Sequence, residues 1–127
     1  MKALNKAINI QFNNDVRGHD LRLMSDNGCQ PTATSFMRDC VTLQIKQAFT
    51  SYNNPKGNAD TERFMRTMKE ELFWINEFQS PNQIYKALDD WIYYYNHQYL
   101  HSKLGYKSPV KFEQEYQMKN KNKSPLD

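Results

Sequence analysis

The sequence has no long apolar run. None of its 127 residues belongs to a stretch close to the ~18 consecutive apolar residues that a membrane-spanning helix needs, so we expect no membrane partner. The first residues, Met1–Asn5, also lack the apolar core of a secretory signal peptide. We therefore expect a cytoplasmic protein.

Cysteine is scarce as well. Cys29 and Cys40 are the only two, and their separation matches no zinc knuckle or CxxC motif. We interpret them as reduced thiols in a reducing compartment. His97 and His101 are four residues apart and could hold zinc on a helix, but no matching pair completes a site, so we favour a packing or hydrogen-bonding role for His101.

The charge is only mildly positive. A net charge of +3 permits a nucleic-acid partner without arguing strongly for one. The distribution is more informative, because lysines crowd the C-terminal stretch where few acids accompany them: Lys103, Lys107, Lys111, Lys119, Lys121 and Lys123. The length corresponds to a single domain.

The first half of the chain alternates helix and strand. Apolar spacing predicts a helix over 2–12, a short strand over 21–25, a helix opened by Pro31 and a second strand over 45–49. The apolar positions of the second helix are Phe36, Met37, Cys40, Val41 and Leu43. Two strands separated by a helix predict a parallel sheet, and because two strands make a poor sheet alone, the pattern requires further strands upstream.

The second half is predicted to be helical. After a loop at 50–57, helices are expected from Ala59 to about Trp74, from the Ser80-Pro81 pair to about His97, and from Val110 to about Tyr116. Residues 117–127 are polar and basic, so we expect a disordered tail. The predicted organisation is thus one α/β domain at 1–116 followed by the tail at 117–127.

Asp26 and Glu62 are the candidate chemical residues. Asp26 follows the first strand, and Glu62 lies at the start of a helix with 35 residues between them. Each has a structural alternative, Asp26 as a turn residue and Glu62 as an acid that complements the helix dipole. As a pair, a strand end and a helix start can converge, and their carboxylates would supply half a site for Mg²⁺ or Mn²⁺.

Two blocks of sequence carry a family resemblance. The segment Pro55–Leu72 around Glu62 resembles the last-carboxylate region of DDE-type insertion-sequence transposases and retroviral integrase cores, specifically the IS3-like enzymes with a D-D-35-E pattern. The second block is similar to the tail of the same family: Trp91-Ile92, Tyr94-Tyr95-Asn96, His101, Leu104-Gly105, Ser108-Pro109 and Phe112. The resemblance covers roughly residues 3–116.

The resemblance implies a partial RNase H-like fold, with short parallel strands, missing N-terminal strands and a helical C-terminal part. It implies that Asp26 and Glu62 are catalytic metal ligands for Mg²⁺ or Mn²⁺. Lys69, seven residues after Glu62, is expected to hold DNA phosphate, and Arg66 and Asn58 are further DNA-contact candidates, with an i,i+4 pair between Glu62 and Arg66 as the alternative for Arg66.

Two departures from the family pattern stand out. The family's first Asp has no counterpart, because only 25 residues precede Asp26, and Asp15 and Asp20 lie in a predicted turn rather than at a strand end. The family's Arg after the Tyr-Asn pair is replaced by Tyr99. Tyr99 belongs to a group of tyrosines that could stack on bases, although we favour a core role for them: Tyr93, Tyr94, Tyr95 and Tyr99.

The expected function is DNA transposition by metal-dependent phosphoryl transfer, with transposon ends and target DNA as partners in a bacterial nucleoid. The chain would be a truncated core that is inactive alone, with a homo-oligomer or a transposase subunit supplying the N-terminal part. One alternative is a non-catalytic remnant that binds DNA or a transposase subunit. Another is an unrelated α/β binding module with a fortuitous motif.

Overall fold

The structure, a computed structural model, describes residues 1–50 and 55–123. Two compact units divide the chain, Met1–Met65 and Arg66–Asp127. The predicted loop at 50–57 lies partly outside the described residues. The predicted division into a core domain at 1–116 and a tail at 117–127 stays a prediction.

The first unit alternates helix and strand as predicted. Its first elements, in chain order, are α1 (Lys2–Gln11), β1 (Arg22–Ser25), α2 (Cys29–Thr32), α3 (Thr34–Thr42) and β2 (Lys46–Phe49). A 3₁₀ turn, Pro55–Asn58, then leads into α4 (Ala59–Met68), which contains the boundary between the units.

The two strands form a parallel sheet, which confirms the predicted strand direction. Arg22 pairs with Lys46, and Ser25 pairs with Phe49 at the other end. Exposure alternates along β1, with Leu23 turned inward and Met24 outward, as the period of two requires. The carboxyl ends of both strands consequently lie at one edge of the sheet.

The core of the first unit joins α1, α3, the loop after α1 and the residue that precedes β2. Ile8, Val16, Cys40 and Ile45 are its buried members, and Cys40 has no solvent exposure. Partly buried neighbours complete the cluster: Leu4, Phe12, Leu21, Leu23, Phe36 and Leu43. Burial raises the pKa of the Cys40 thiol, because removing the thiolate from water is unfavourable.

The predicted second helix is two helices rather than one. Pro31 lies inside the one-turn helix α2, and the extended backbone of Ala33 (ψ 135°) separates α2 from α3. Val41, one of the apolar positions of the predicted helix, lies outside the core and is 76% exposed. Cys40 takes the inward position, and a neighbouring residue on a helix lies roughly 100° further round.

The second unit contains the remaining helices. After α4, a π-helical segment (Lys69–Phe73) precedes α5 (Pro81–His97), a 3₁₀ turn (Ser102–Leu104) and α6 (Pro109–Lys121). The helix predicted to continue to about Trp74 therefore ends as an α-helix at Met68. Its last part widens, and the Trp74 N–H donates to the Lys69 carbonyl at 2.8 Å, the i→i+5 bond of a π turn.

Both predicted Ser-Pro helix starts are confirmed. The Ser80 hydroxyl accepts from the Gln83 N–H, and the Ser108 hydroxyl accepts from the Lys111 N–H, each at 3.3 Å. A proline at the first helical position follows each cap, where its missing N–H leaves no bond unmade. The last helix runs past its predicted end at about Tyr116, so residues 117–121, which we predicted to be disordered, are helical.

In the second unit, α5 packs against both the π-helical segment and α6. Leu72 and Trp91 are the unit's buried apolar residues, and the Trp91 indole Nε1 donates to Glu71 Oε2 at 3.2 Å. Among the described residues, no helix combines the length and the apolar character that crossing a bilayer requires.

Candidate metal site

Asp26 follows β1 directly and is exposed at the carboxyl edge of the sheet. Its Oδ1 accepts a hydrogen bond from the Gly28 N–H at 2.9 Å, so the carboxylate is held over its own turn. A Cβ on Gly28 would lie 2.9 Å from the same oxygen, closer than ordinary contact allows. The turn thus fixes the Asp26 carboxylate and leaves room for it.

Asn27 ties the two strand ends together. Its Nδ2 donates to the Thr50 carbonyl at 2.5 Å, and the Thr50 N–H donates to the Ser25 carbonyl at 2.9 Å. No sequence pattern predicted this contact. The partner lies 23 residues away in the chain, so a local sequence pattern does not reveal it.

Glu62 lies in the first turn of α4, as predicted, and its side chain is exposed. Asn58, half-buried, is the residue directly before α4. Glu62 and Asp26 belong to the same unit, at a helix start and a strand end respectively. Convergence of their carboxylates on one metal stays a prediction.

Arg66 has a different partner from the one we considered. Its Nε contacts Glu70 Oε1 at 2.7 Å, whereas the sequence alternative paired Arg66 with Glu62. The hydrogen bond to Glu70 raises the pKa of the Arg66 guanidinium above its usual value. Glu70 thus offsets part of the Arg66 charge, and contact of DNA phosphate with Arg66 or with Lys69, the exposed first residue of the π-helical segment, stays a prediction.

Asp20 lies at the opposite end of β1 from Asp26. The extended residues of β1, a length of about 13 Å, lie between the two carboxylates. Asp20 instead bonds the Lys46 ammonium and faces Arg22. The hydrogen bond to Lys46, with its charge, lowers the pKa of the Asp20 carboxyl.

Whether these residues could hold a metal ion depends on the type and the number of their donor atoms. Asp26 and Glu62 offer the hard oxygen donors that Mg²⁺ and Mn²⁺ prefer. Within residues 1–50 and 55–123, no group of three or more His, Cys, Asp or Glu side chains could hold a metal ion. The residues therefore fit part of a divalent-metal site.

His97 and His101 do not share a helix face, because α5 ends at His97. The His97 Nδ1 pairs with the Tyr93 carbonyl at 2.9 Å. His101 packs against the rings of Tyr95 and Tyr99, with centroids 5.1 and 5.0 Å away. The packing role predicted for His101 is confirmed, and its Nε2 is buried with no hydrogen-bond partner in the described part of the chain.

The tyrosines at the end of α5 and just after it divide into two groups. Tyr99 stacks on Tyr95 with centroids 5.1 Å apart, and both are half-buried, in agreement with the favoured core role. That role is wrong for Tyr93 and Tyr94, whose residues are 63% and 42% exposed. Where the family pattern has Arg, this chain therefore places an aromatic ring in a stacked cluster.

Comparison with protein families supplies the context for this site. The sequence model of the family described as integrase core domain matches residues 41–109, more than half of the chain. The chain therefore belongs to the integrase core domain family. The match contains Glu62, Asn58, Arg66 and Lys69, whereas Asp26 precedes it.

Curated relatives are proteins of insertion sequences. An uncharacterized protein of insertion element IS136 from Agrobacterium fabrum is 28% identical over 84% of this chain and 55% of its own length. The putative transposase InsK of IS150 from Escherichia coli is 29% identical over 76% of this chain and 34% of its own. The transposase of IS904 from Lactococcus lactis is 31% identical over 70% of this chain and 36% of its own length.

These comparisons confirm the predicted resemblance to insertion-sequence transposases with an integrase core. They also agree with a partial RNase H-like fold, to which the two parallel strands and the helices correspond. The chain spans about half or less of the length of the relatives named above.

Proposed function

We propose that this chain contributes two carboxylates, Asp26 and Glu62, to metal-dependent phosphoryl transfer on DNA. The observation that supports the proposal most directly is the placement of Glu62 in the first turn of α4, inside the segment that matches the integrase core family. Relatives named as transposases of insertion sequences support transposon ends and target DNA as the substrates. Such a protein acts on the DNA of a bacterium.

The chain's own residues have separate tasks in this proposal. Asp26, held by the Gly28 N–H, and Glu62 would each present a carboxylate oxygen to Mg²⁺ or Mn²⁺. When bound, the metal supplies charge that stabilises the attacking and leaving oxygens of an in-line displacement at phosphorus. Lys69 would hold a DNA phosphate, Asn58 would line the site, and Arg66 would add a weaker contact because Glu70 binds it.

We further propose that the 127-residue chain alone does not cleave or join DNA at a useful rate. Two carboxylates bind Mg²⁺ weakly, because the ion retains its water unless several oxygens replace it. A transposase subunit that carries the N-terminal part would supply the remaining ligand. A non-catalytic protein that binds DNA or a transposase subunit is the second candidate, favoured by the lack of a three-ligand cluster among the described residues.

Mn²⁺ binding tests the ligand assignment. Free Mn²⁺ is measured by electron paramagnetic resonance as it is added to the purified chain, to Asp26→Asn and to Glu62→Gln. We expect weak binding that each variant weakens by more than about tenfold, since even the loss of an outer-shell partner costs 10–100-fold. Asp39→Asn, which removes another exposed carboxylate of the same unit, should bind like the parent. Equal binding by all four proteins would refute the assignment.

A cleavage assay tests the proposed inactivity. The purified chain is incubated with Mg²⁺ or Mn²⁺ and a transposon-end duplex, and no nicking above background is expected. Metal-dependent nicking that disappears in Asp26→Ala would show that another group of this chain replaces the missing carboxylate, and the inactivity proposal would fail.

A further inference from the structure

The positive charge of the chain is concentrated in its C-terminal segment. Residues 103–123 contain six lysines and two glutamates, a net charge of +4, while the whole chain carries +3. The remainder is therefore slightly negative. Any surface of this protein that attracts a polyanion over a distance is expected to include this segment.

One of the two glutamates already pairs with a lysine of the same segment. Glu115 accepts a hydrogen bond from the Lys107 ammonium, and this contact is the main cause of the lowered pKa of the Glu115 carboxyl. After Glu115 the sequence has no acid before Asp127. Lys119 and Lys123 are exposed, and within the described ranges neither lies at salt-bridge distance from an acid, although the charge of Lys119 contributes to the lowered pKa of Glu115.

The exposed aromatic residues of α6 lie on the same side as these lysines. Phe112, Tyr116 and Lys119 lie in α6 at intervals of four and three residues, which is the spacing of one helix face, and Lys123 follows four residues later, just after the helix ends. Lys123 lies on the turn that closes α6, where its N–H donates to the Asn120 carbonyl at 3.2 Å. Phe112 and Tyr116 are 43% and 60% exposed. We call these four residues the α6 aromatic-basic face.

We propose that the α6 aromatic-basic face binds the sugar-phosphate backbone of duplex DNA. Lys119 and Lys123 would contact phosphates, the Tyr116 hydroxyl would donate to a phosphate oxygen, and Phe112 would pack against deoxyribose. The choice of DNA rests on the proposed function. The helix that would bind DNA is an addition to the proposed metal site, since α6 extends beyond residue 109, where the family match ends.

The distribution of side chains favours DNA over a lipid surface. A helix that lies in a membrane interface segregates its apolar residues from its lysines on opposite faces. In α6 the two types share one face, and the apolar Met118 lies roughly 200° round the helix from Tyr116. A purely apolar protein partner would fit less well, because it would desolvate two lysines without pairing them.

The salt dependence of DNA binding tests the proposal. A labelled duplex is titrated with the purified chain by fluorescence anisotropy over a range of KCl concentrations in EDTA. The double variant Lys119→Gln/Lys123→Gln is compared with Lys2→Gln/Lys6→Gln, which removes the same charge from exposed positions of α1. We expect the slope of log affinity against log salt to become shallower by about 2 in the α6 variant and to stay unchanged in the α1 variant.

Two outcomes would overturn the proposal. Equal slopes for the two double variants would show that the charge acts without a specific face, and tighter binding to anionic phosphatidylserine vesicles than to duplex would identify a membrane surface instead. Circular dichroism of both variants verifies that they are folded. Because EDTA removes divalent metal, this experiment is independent of Asp26 and Glu62, so failure of the metal site would leave its outcome unchanged.

Discussion

The side-chain amide of Asn27 donates a hydrogen bond to the backbone carbonyl of Thr50, 2.5 Å away, and so joins the carboxyl ends of β1 and β2. Asp26, the candidate metal ligand, is the residue immediately before Asn27. The chain that continues from Thr50 leads to α4 and Glu62. One side chain therefore connects the turn that carries the first carboxylate to the segment that leads to the second.

Removing this connection should destabilise the first unit modestly. In Asn27→Ala the Thr50 carbonyl loses its donor, and because the bond is exposed, water replaces part of it. We expect the free energy of unfolding, measured by urea denaturation, to fall by about 1 kcal/mol. Asn14→Ala, at an exposed turn position, serves as the control and should change it by less than ~0.5 kcal/mol. Equal effects would mean that the contact contributes nothing.

Gly28→Ala should displace the Asp26 carboxylate while leaving the fold intact. The backbone of Gly28 (φ −61°, ψ 164°) suits alanine, but the new Cβ would lie 2.9 Å from Asp26 Oδ1. A carboxylate end is flexible, so we expect a stability change of less than ~1 kcal/mol and weaker Mn²⁺ binding. Ala33→Gly, a change outside this turn, is the control for Mn²⁺ binding. Unaltered Mn²⁺ binding by Gly28→Ala would argue against Asp26 as a ligand.

The Asp20–Lys46 pair should make stability depend on pH in the acid range. Lys46 lowers the folded-state pKa of Asp20 from its ordinary value of 3.8, so the pair contributes stability that is present above pH 3.8. That contribution is lost as the pH falls through the lower folded pKa. The difference in unfolding free energy between the parent and Asp20→Asn should therefore shrink as the pH falls below 3.8.

Lys46→Gln provides the matched comparison for this pair. If the hydrogen bond between Asp20 and Lys46 is the cause, the double variant should show little more loss than either single variant at neutral pH. Asn also suits position 20, where the backbone is left-handed (φ 53°), so backbone strain does not confuse the result. A pH-independent difference between the parent and Asp20→Asn would contradict the prediction.

Trp91 should be the most sensitive position of α5. Its residue is 8% exposed, and it both packs in the core of the second unit and donates to Glu71. We expect Trp91→Ala to cost about 3–5 kcal/mol of unfolding free energy, measured by circular dichroism in urea. Tyr85→Ala, on the same helix at 64% exposure, should stay within ~0.5 kcal/mol of the parent. Comparable losses would show that the described packing does not stabilise this unit.

Local sequence patterns were sufficient for the elements whose causes are local. The alternation along β1, the two Ser-Pro helix starts and the parallel strand pair all follow from periodicity, capping chemistry and the intervening helix. The positions of Asp26 after a strand and of Glu62 in the first turn of a helix were predictable because both places have recognisable residue preferences, whereas their assignment as metal ligands rests on their spacing and the family resemblance.

Tertiary structure decided which of the possible contacts form and which residues are buried. Asn27 contacts Thr50 because the parallel register brings the ends of the two strands together. Arg66 pairs with Glu70 rather than with Glu62, although each of these acids is four residues from Arg66 in the sequence. Cys40 is buried and the more apolar Val41 is exposed, because the packing of α3 turns only one of these neighbours inward. Residue order specifies which side chains are available, whereas the packed backbone determines which of them meet.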